Sequence, residues 1–367
     1  MLFEQAHIGS MTLKNRFVRS ATWEGLATEE DGRVTEKLID KMIELAQGGV
    51  GLIITGHAFV SEDGKASPWQ LGAHNDSVVD GLKKMTTAVH EKAGKIVLQL
   101  AHAGAFAIGI SEKKDLTPLA PSAFKKAREM SQEDIVRIVN CFGEAAKRAK
   151  DAGFDGVQIH AAHGYLLSQF LSPYFNKRSD SYGGDVKRRA QIVIEVLRSI
   201  RKEVGESFPV LIKMNSEDFL EGGLSVDDMV ETARILESEG IDAIELSGGT
   251  IISNDLIPVR IHKRSKDKVP PYYAEAAKRL KNTVKIPLIL VGGIRSYDTA
   301  EQIIREGIAD FVAMSRPLIR EPFLVKHWQQ GDIRPALCVS DNLCFGPARK
   351  GEGIYCVRDK KESEKNA

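Results

Sequence analysis

The 367-residue chain carries 51 Lys and Arg against 50 Asp and Glu, a formal net charge of +1. Hydrophobic residues at 43% and charged residues at 28% are ordinary for a soluble globular protein. Such a balance argues against a nucleic-acid or membrane-surface binder, which shows a basic excess or stripe.

No apolar run reaches the roughly 18–20 residues of a membrane helix. Met1–Ser10 lacks the basic-then-apolar layout of a signal peptide. Three of the four cysteines fall in the last thirty residues, which does not suit a secreted disulfide framework. A cytoplasmic protein is expected.

In chain order, strands are predicted at Phe17–Ala21, Val50–Thr55, Lys95–Leu100, Gly156–His160, Val210–Asn215, Ala243–Leu246, Pro287–Val291 and Phe311–Met314. They are rich in Val, Ile and Leu without strict polar alternation, the pattern of strands buried on both faces of a parallel sheet. Amphipathic helices are predicted between them at Thr35–Gln47, Val78–Lys92, Glu133–Ala152, Arg188–Glu203 and Val226–Glu239. Glycines in Gln47-Gly48-Gly49 and Asp151-Ala152-Gly153 suit the left-handed residue that ends a helix before a buried strand.

Eight such units fit an α/β fold of the closed (β/α)8 TIM-barrel type better than an open doubly wound sheet. Residues 1–328 form the barrel and 329–367 a short C-terminal extension with a cysteine group. Its charged tail, Lys360–Ala367, is expected to fray. Chemistry belongs at the C-terminal ends of the strands. Two connections, Ala101–Arg128 and Gly248–Pro271, are longer than a barrel needs. The second carries Arg260, His262, Lys263, Arg264, Lys266 and Lys268, which read either as a solvated basic loop or as a grip on a phosphorylated cosubstrate or acidic ligand.

The fourth unit ends His160-Ala161-Ala162-His163-Gly164-Tyr165. Two imidazoles can share one acceptor atom and polarise a carbonyl, and a tyrosine with a pKa of about 10 keeps its proton and can act as an acid. The competing readings are satisfied core histidines, or a zinc site that lacks an obvious third ligand. Lys213 ends the fifth strand among buried residues, so it needs an anionic partner, a ligand or an outward-facing position. It could serve as a Schiff-base nucleophile or as a cation beside an electron-accepting ring. Gln99 ends the third strand in a similar setting.

Gly292-Gly293 after the seventh strand and Ser315-Arg316 after the eighth meet at the corner where many barrels bind phosphate. Ser247-Gly248-Gly249-Thr250 could complete that cradle.

These residues resemble the Old Yellow Enzyme family of flavin oxidoreductases over residues 1–328. The resemblance rests on Leu13-Lys14-Asn15-Arg16-Phe17-Val18, Gln99-Leu100-Ala101-His102-Ala103-Gly104, the His160–Leu166 segment, Phe170-Leu171-Ser172-Pro173 and Asn176-x-Arg178-x-Asp180-x-Tyr182-Gly183-Gly184. It implies an NAD(P)H:flavin oxidoreductase that binds FMN, takes hydride from NADH or NADPH onto flavin N5, and passes it to the β-carbon of an α,β-unsaturated carbonyl compound. His160 and His163 would hold the carbonyl oxygen and Tyr165 would protonate the α-carbon. Gln99 would meet the flavin's pyrimidine edge and Lys213 its N1 and O2. Gly292, Gly293, Ser315 and Arg316 would hold the phosphate, with Gly248 completing the cradle. Ser20, Ala21, Thr22 and Gly56 would line the ring. Family members assemble variously, so a homo-oligomer is expected.

Three departures stand out. Trp23 replaces the Cys or Thr that many relatives place near flavin O4, which would reshape the substrate pocket. Ala105 follows Gly104 where several relatives carry Arg. Finally, Cys338, Cys344 and Cys356 resemble the iron–sulfur segment of the 2,4-dienoyl-CoA reductase branch, with Asp341 at the second ligand position. A [4Fe-4S] cluster, a degenerate remnant and a Cys3Asp zinc site all remain open. So do two further functions: an iron–sulfur/FMN redox subunit fed by a partner protein, and a flavin-independent zinc or Schiff-base barrel enzyme. Cys141, within a predicted helix, reads as a small core residue.

Overall fold

The computed structural model describes residues 1–108, 116–261 and 270–366. Eight parallel strands form its centre: β1 (Phe17–Arg19), β2 (Leu52–Ile54), β3 (Ile96–Ala101), β4 (Gly156–Ala161), β5 (Val210–Asn215), β6 (Ala243–Ser247), β7 (Leu288–Val291) and β8 (Phe311–Met314). Each pairs with the next, and Val312 of β8 pairs with Phe17 of β1 to close the ring. The expected (β/α)8 barrel is the observed fold.

The helices around the barrel are α1 (Glu36–Gln47), α2 (Val79–His90), α3 (Gln132–Asp151), α4 (Leu166–Leu171), α5 (Val186–Val204), α6 (Val226–Ser238), α7 (Ala274–Lys281) and α8 (Tyr297–Arg305). Their starts are set by side chains that accept otherwise orphaned backbone N–H groups: Thr35, Ser131, Asp185, Ser225 and Ser296. Ser131 and Asp134 form a reciprocal capping box at α3. Cys141 packs from α3 against the helix–strand core as a partly buried residue.

The barrel interior changes character along its axis. Val18, Leu52, Val97, Leu211, Ala243, Ile289 and Phe311 fill the lower half, plugged from below by a hairpin of Ala6–Ile8 and Met11–Leu13. A strand repeats its face every second residue. Two steps on from Val97, Leu211 and Ala243 stand Gln99, Lys213 and Glu245, so the same inward face turns polar above the plug.

After β8 come α9 (Arg316–Arg320) and α10 (Leu324–Gln329), then the extension with α11 (Phe345–Ala348) and α12 (Val357–Asn366). The extension returns to the barrel rim, where Ile354 N–H donates to the Glu24 carbonyl at 2.7 Å. As far as Asn366, the tail expected to fray is helical instead. It is rich in Lys and Glu, good helix formers, and Glu362 is tied to Arg320 of α9 at 2.7 Å. Among the described residues, no helix is long and apolar enough to cross a membrane.

Candidate active site

β4 delivers His160 at its upper end, 4% exposed. The chain then turns through His163 and Gly164 with φ of 65° and 81°. A left-handed histidine costs energy unless its surroundings hold it there. His163 N–H donates to Asn215 Oδ1 at 3.0 Å, and its Nε2 lies 2.8 Å from Ser247 Oγ. Asn215 is fixed in turn by donating to Asp218 Oδ1 at 2.9 Å. The turn sets Tyr165 just before α4, with its ring 5.1 Å from that of His160, while the two histidine rings are 5.2 Å apart.

The electrostatics follow from burial. Removal from water pushes His160 and His163 well below the ordinary histidine value, and the nearby Lys213 cation acts in the same direction. Burial pushes Tyr165 up to about 12. The rim therefore presents neutral imidazoles beside a protonated phenol. A third imidazole, His57, stands 5.5 Å from the Tyr165 ring and 6.3 Å from His160, and burial pushes it down to about 4.

Below the rim runs a buried chain of hydrogen bonds. Gln99 Nε2 donates to Gln158 Oε1 at 2.7 Å, and Gln158 Nε2 donates to Glu245 Oε2 at 2.8 Å. Glu245 Oε1 accepts from Ser20 Oγ at 2.5 Å and from Lys213 Nζ at 3.0 Å. Strand register dictates this, since Gln99 lies opposite Gln158, and Lys213 lies between His160 and Glu245 on its two neighbours. Of the three possibilities for Lys213, the structure supplies an anionic partner, Glu245, which is 0% exposed. Neither Gln158 nor Glu245 was singled out in the sequence. The available signal was a polar residue two positions before His160 and before Ser247, on the same strand face.

β1 ends at Arg19, two residues earlier than predicted, so Ser20 and Ala21 lie at the start of the rim loop. Thr22 Oγ1 contacts Ser315 Oγ at 2.7 Å, joining that loop to the end of β8. Ala21 packs on the inner core. Gly56 has no room for a side chain, because a Cβ would lie 2.5 Å from the Thr22 carbonyl oxygen. Trp23 packs with Cys344 and Phe345, and its indole N–H is buried without a partner.

The predicted phosphate corner is a recess of about 70 Å³ lined by Gly292, Gly293, Ser315, Arg316 and Tyr272 among others. Gly292 and Gly293 both have positive φ, and a Cβ on Gly292 would lie 2.8 Å from the Tyr272 ring. One nitrogen of the Arg316 guanidinium is already engaged there. Its Nη1 donates to the Arg260 carbonyl and to Asn342 Oδ1, both at 2.8 Å. Arg260 stacks instead, 4.6 Å from Tyr272 and 5.3 Å from Tyr273, with Nε and Nη2 buried and unpartnered. Tyr273 hydroxyl donates to the Gly248 carbonyl at 2.9 Å, which brings Gly248 to the same wall. The glycine cradle, with Ser315 and Arg316 at its edge, fits an incoming phosphate. His262, Lys263, Arg264, Lys266 and Lys268 of the predicted basic loop lie outside the described residues.

Cys338, Cys344 and Cys356 are free thiols that line a separate, small recess of about 20 Å³. Burial raises the Cys338 thiol and pushes Cys344 up to about 11. Asp341, at the second ligand position of that resemblance, is held by Arg358 Nε at 2.5 Å. Among the described residues, no group of three or more His, Cys, Asp or Glu side chains is placed to hold a metal ion. The geometry of this segment adds nothing to its iron–sulfur resemblance.

A closed barrel with neutral hydrogen-bond donors, a protonated acid and a phosphate-type corner on one rim defines a cofactor-dependent oxidoreductase barrel. The NADH:flavin oxidoreductase / NADH oxidase family matches residues 1–333, and the chain belongs to that family. Membership brings FMN as cofactor. The chain is 38% identical over 357 residues to an NADH oxidase of Thermoanaerobacter brockii, covering 94% of this chain and 53% of that protein. It is 36% identical over 330 residues to an NADPH dehydrogenase of Bacillus cytotoxicus, covering 88% and 90%. The chain thus spans about half the length of the first relative and most of the second. An Old Yellow Enzyme homologue from Zymomonas mobilis superposes with a TM-score of 0.78 at 25% identity, over 92% of this chain and 95% of that one.

Proposed function

We propose that the chain is an ene reductase, reducing the carbon–carbon double bond of α,β-unsaturated carbonyl compounds at the expense of NADH or NADPH. The observation that carries this reading is the meeting of His160, His163 and Tyr165, two neutral imidazoles and one protonated phenol, at the end of β4. When bound, FMN supplies the hydride chemistry. Ser20, Ala21, Thr22, Gly56, Gln99, Lys213, Gly248, Gly292, Gly293, Ser315 and Arg316 are the residues that would hold it, and Trp23 would border the substrate.

The side chains divide the remaining work. His160 and His163 donate to the carbonyl oxygen, where negative charge grows as the double bond is reduced. Donors aimed at developing charge are worth about 10²–10³ in rate each. Their neutrality matters, because an imidazolium could lose its proton to that oxygen. Tyr165 gives its proton to the α-carbon. With its pKa raised, it keeps that proton until the carbon becomes basic enough to take it.

An anaerobic absorbance titration of the FMN-loaded protein tests the reading. NADH or NADPH should bleach the flavin band and a cyclic enone should restore it. A band that bleaches only with dithionite, or that an enone does not restore, overturns the proposal.

The depressed imidazole values also fix a pH dependence. His160 and His163 stay neutral at every pH above those values, so affinity for a neutral phenol should show no inflection near 6.5. Calorimetry between about pH 6 and 8 checks this, and a step there would mean that a charged imidazole takes part. Stability responds as well. Folded His57, at about 4, binds fewer protons than the unfolded ring at 6.5. It contributes stability that is full above 6.5 and is lost as pH falls toward 4.

A further inference from the structure

His57 is a third imidazole on the rim, and the roles given above do not use it. It lies where the chain leaves β2 and enters the short strand Ala58–Phe59, which pairs with Leu100 and Ala101 at the top of β3. Its position is firmly set. The His57 carbonyl accepts from Gln70 Nε2 at 3.1 Å, and Gln70 is 0% exposed. The preceding Gly56 is pressed against the Thr22 backbone, so the segment cannot retreat. The ring faces Tyr165 and His160, and its Nε2 is buried with no hydrogen-bond partner. An unpartnered buried nitrogen is costly unless something in the working protein satisfies it.

The strand order says which part of a substrate it would meet. Around the ring, β4 carries His160 midway between β2, which leads into His57, and β6, which ends in Ser247. Ser247 holds His163. His163 and His57 therefore flank His160 from opposite sides, with Tyr165 beside His57.

We propose that His57 determines specificity, offering a hydrogen bond to an uncharged oxygen substituent on the α-carbon of the substrate. This rests on the ene-reductase reading. A carbonyl held between His160 and His163 directs the α-carbon to Tyr165, and a group on that carbon then points to the ring flanking Tyr165. A neutral imidazole has one donor and one acceptor, so a hydroxyl or a second carbonyl suits it equally. The low pKa of His57 agrees with a preference for uncharged groups, since it offers no cation to a carboxylate. Substrates of this class are enones bearing an α-hydroxyl or α-acyl group.

Binding calorimetry on the FMN-loaded protein tests this with three ligands whose phenolic oxygen stands in for the carbonyl: phenol, o-cresol and catechol. The ortho position corresponds to the α-substituent. Wild type should bind catechol about fivefold to tenfold more tightly than o-cresol, the ratio expected of one hydrogen bond. His57→Phe keeps an aromatic ring of similar size and should bring that ratio to within about twofold, through weaker catechol binding. His57→Asn restores a hydrogen-bonding group and should recover part of the preference; it also serves if the Phe variant does not fold. An unaltered ratio in His57→Phe, or equal weakening of all three ligands, overturns the proposal. His160→Ala separates the two readings. If it leaves phenol binding intact, the carbonyl site itself is misplaced and the ene-reductase reading fails first.

Discussion

Tyr165→Phe is expected to lower enone turnover about 10²–10⁴-fold, the range for losing a positioned general acid. The substitution removes one oxygen and keeps the ring that packs 5.1 Å from His160 and 5.5 Å from His57. Carbonyl binding through His160 and His163 should therefore survive, with KM within a few-fold of wild type. Bleaching of the flavin band by NADH or NADPH should also survive, because no proton reaches carbon in that half of the cycle. Stopped-flow measurement of the two half-reactions separates these effects. Equal enone turnover in the variant would remove Tyr165 from the acid's role. The same substitution checks the electrostatic argument. A phenol pushed up to about 12 should leave wild-type turnover free of a tyrosine inflection below about pH 10.

The sequence was most legible where a single strand carries its own message. Runs such as Val210–Asn215 are buried on both faces, and eight of them alternating with helices leave few alternatives to a closed barrel. The His160–Tyr165 segment was legible for the same reason, since its three side chains lie close in the chain. Short or marginal elements were less so. The hairpin of Ala6–Ile8 and Met11–Leu13 has three residues per strand, too few for a periodic signal, although it plugs the barrel.

Partnerships across strands were the least legible. Lys213 announced a need for an anion, a ligand or an outward-facing position, but Glu245 is 32 positions away and meets it only through the register of β5 and β6. Gln158 joins the network through register with Gln99, and His57 reaches the site from β2 while its neighbours in the chain are apolar or glycine. Arg316 was read as a phosphate ligand from its place after β8. That reading could not foresee that Asn342 of the extension and the Arg260 carbonyl occupy its Nη1.

Glu245→Leu should be the most destabilising substitution in the barrel. It removes the acceptor of Lys213, Ser20 and Gln158 together, all buried within 4% exposure. A buried cation stripped of its counter-ion costs about 3–5 kcal/mol, and the Ser20 hydroxyl and Gln158 amide each lose an acceptor as well. Replacing both ends of the ion pair tells desolvation from packing. Lys213→Met combined with Glu245→Leu puts apolar side chains at both ends, and such exchanges of a buried pair are often neutral or better. The double variant should therefore recover most of the lost stability in chemical denaturation. It should not recover FMN affinity if Lys213 serves the cofactor as well as the fold. Recovery of both would make the pair purely structural. A single-variant loss below about 1 kcal/mol would mean that water reaches the pair and that the polar layer above the plug is not sealed.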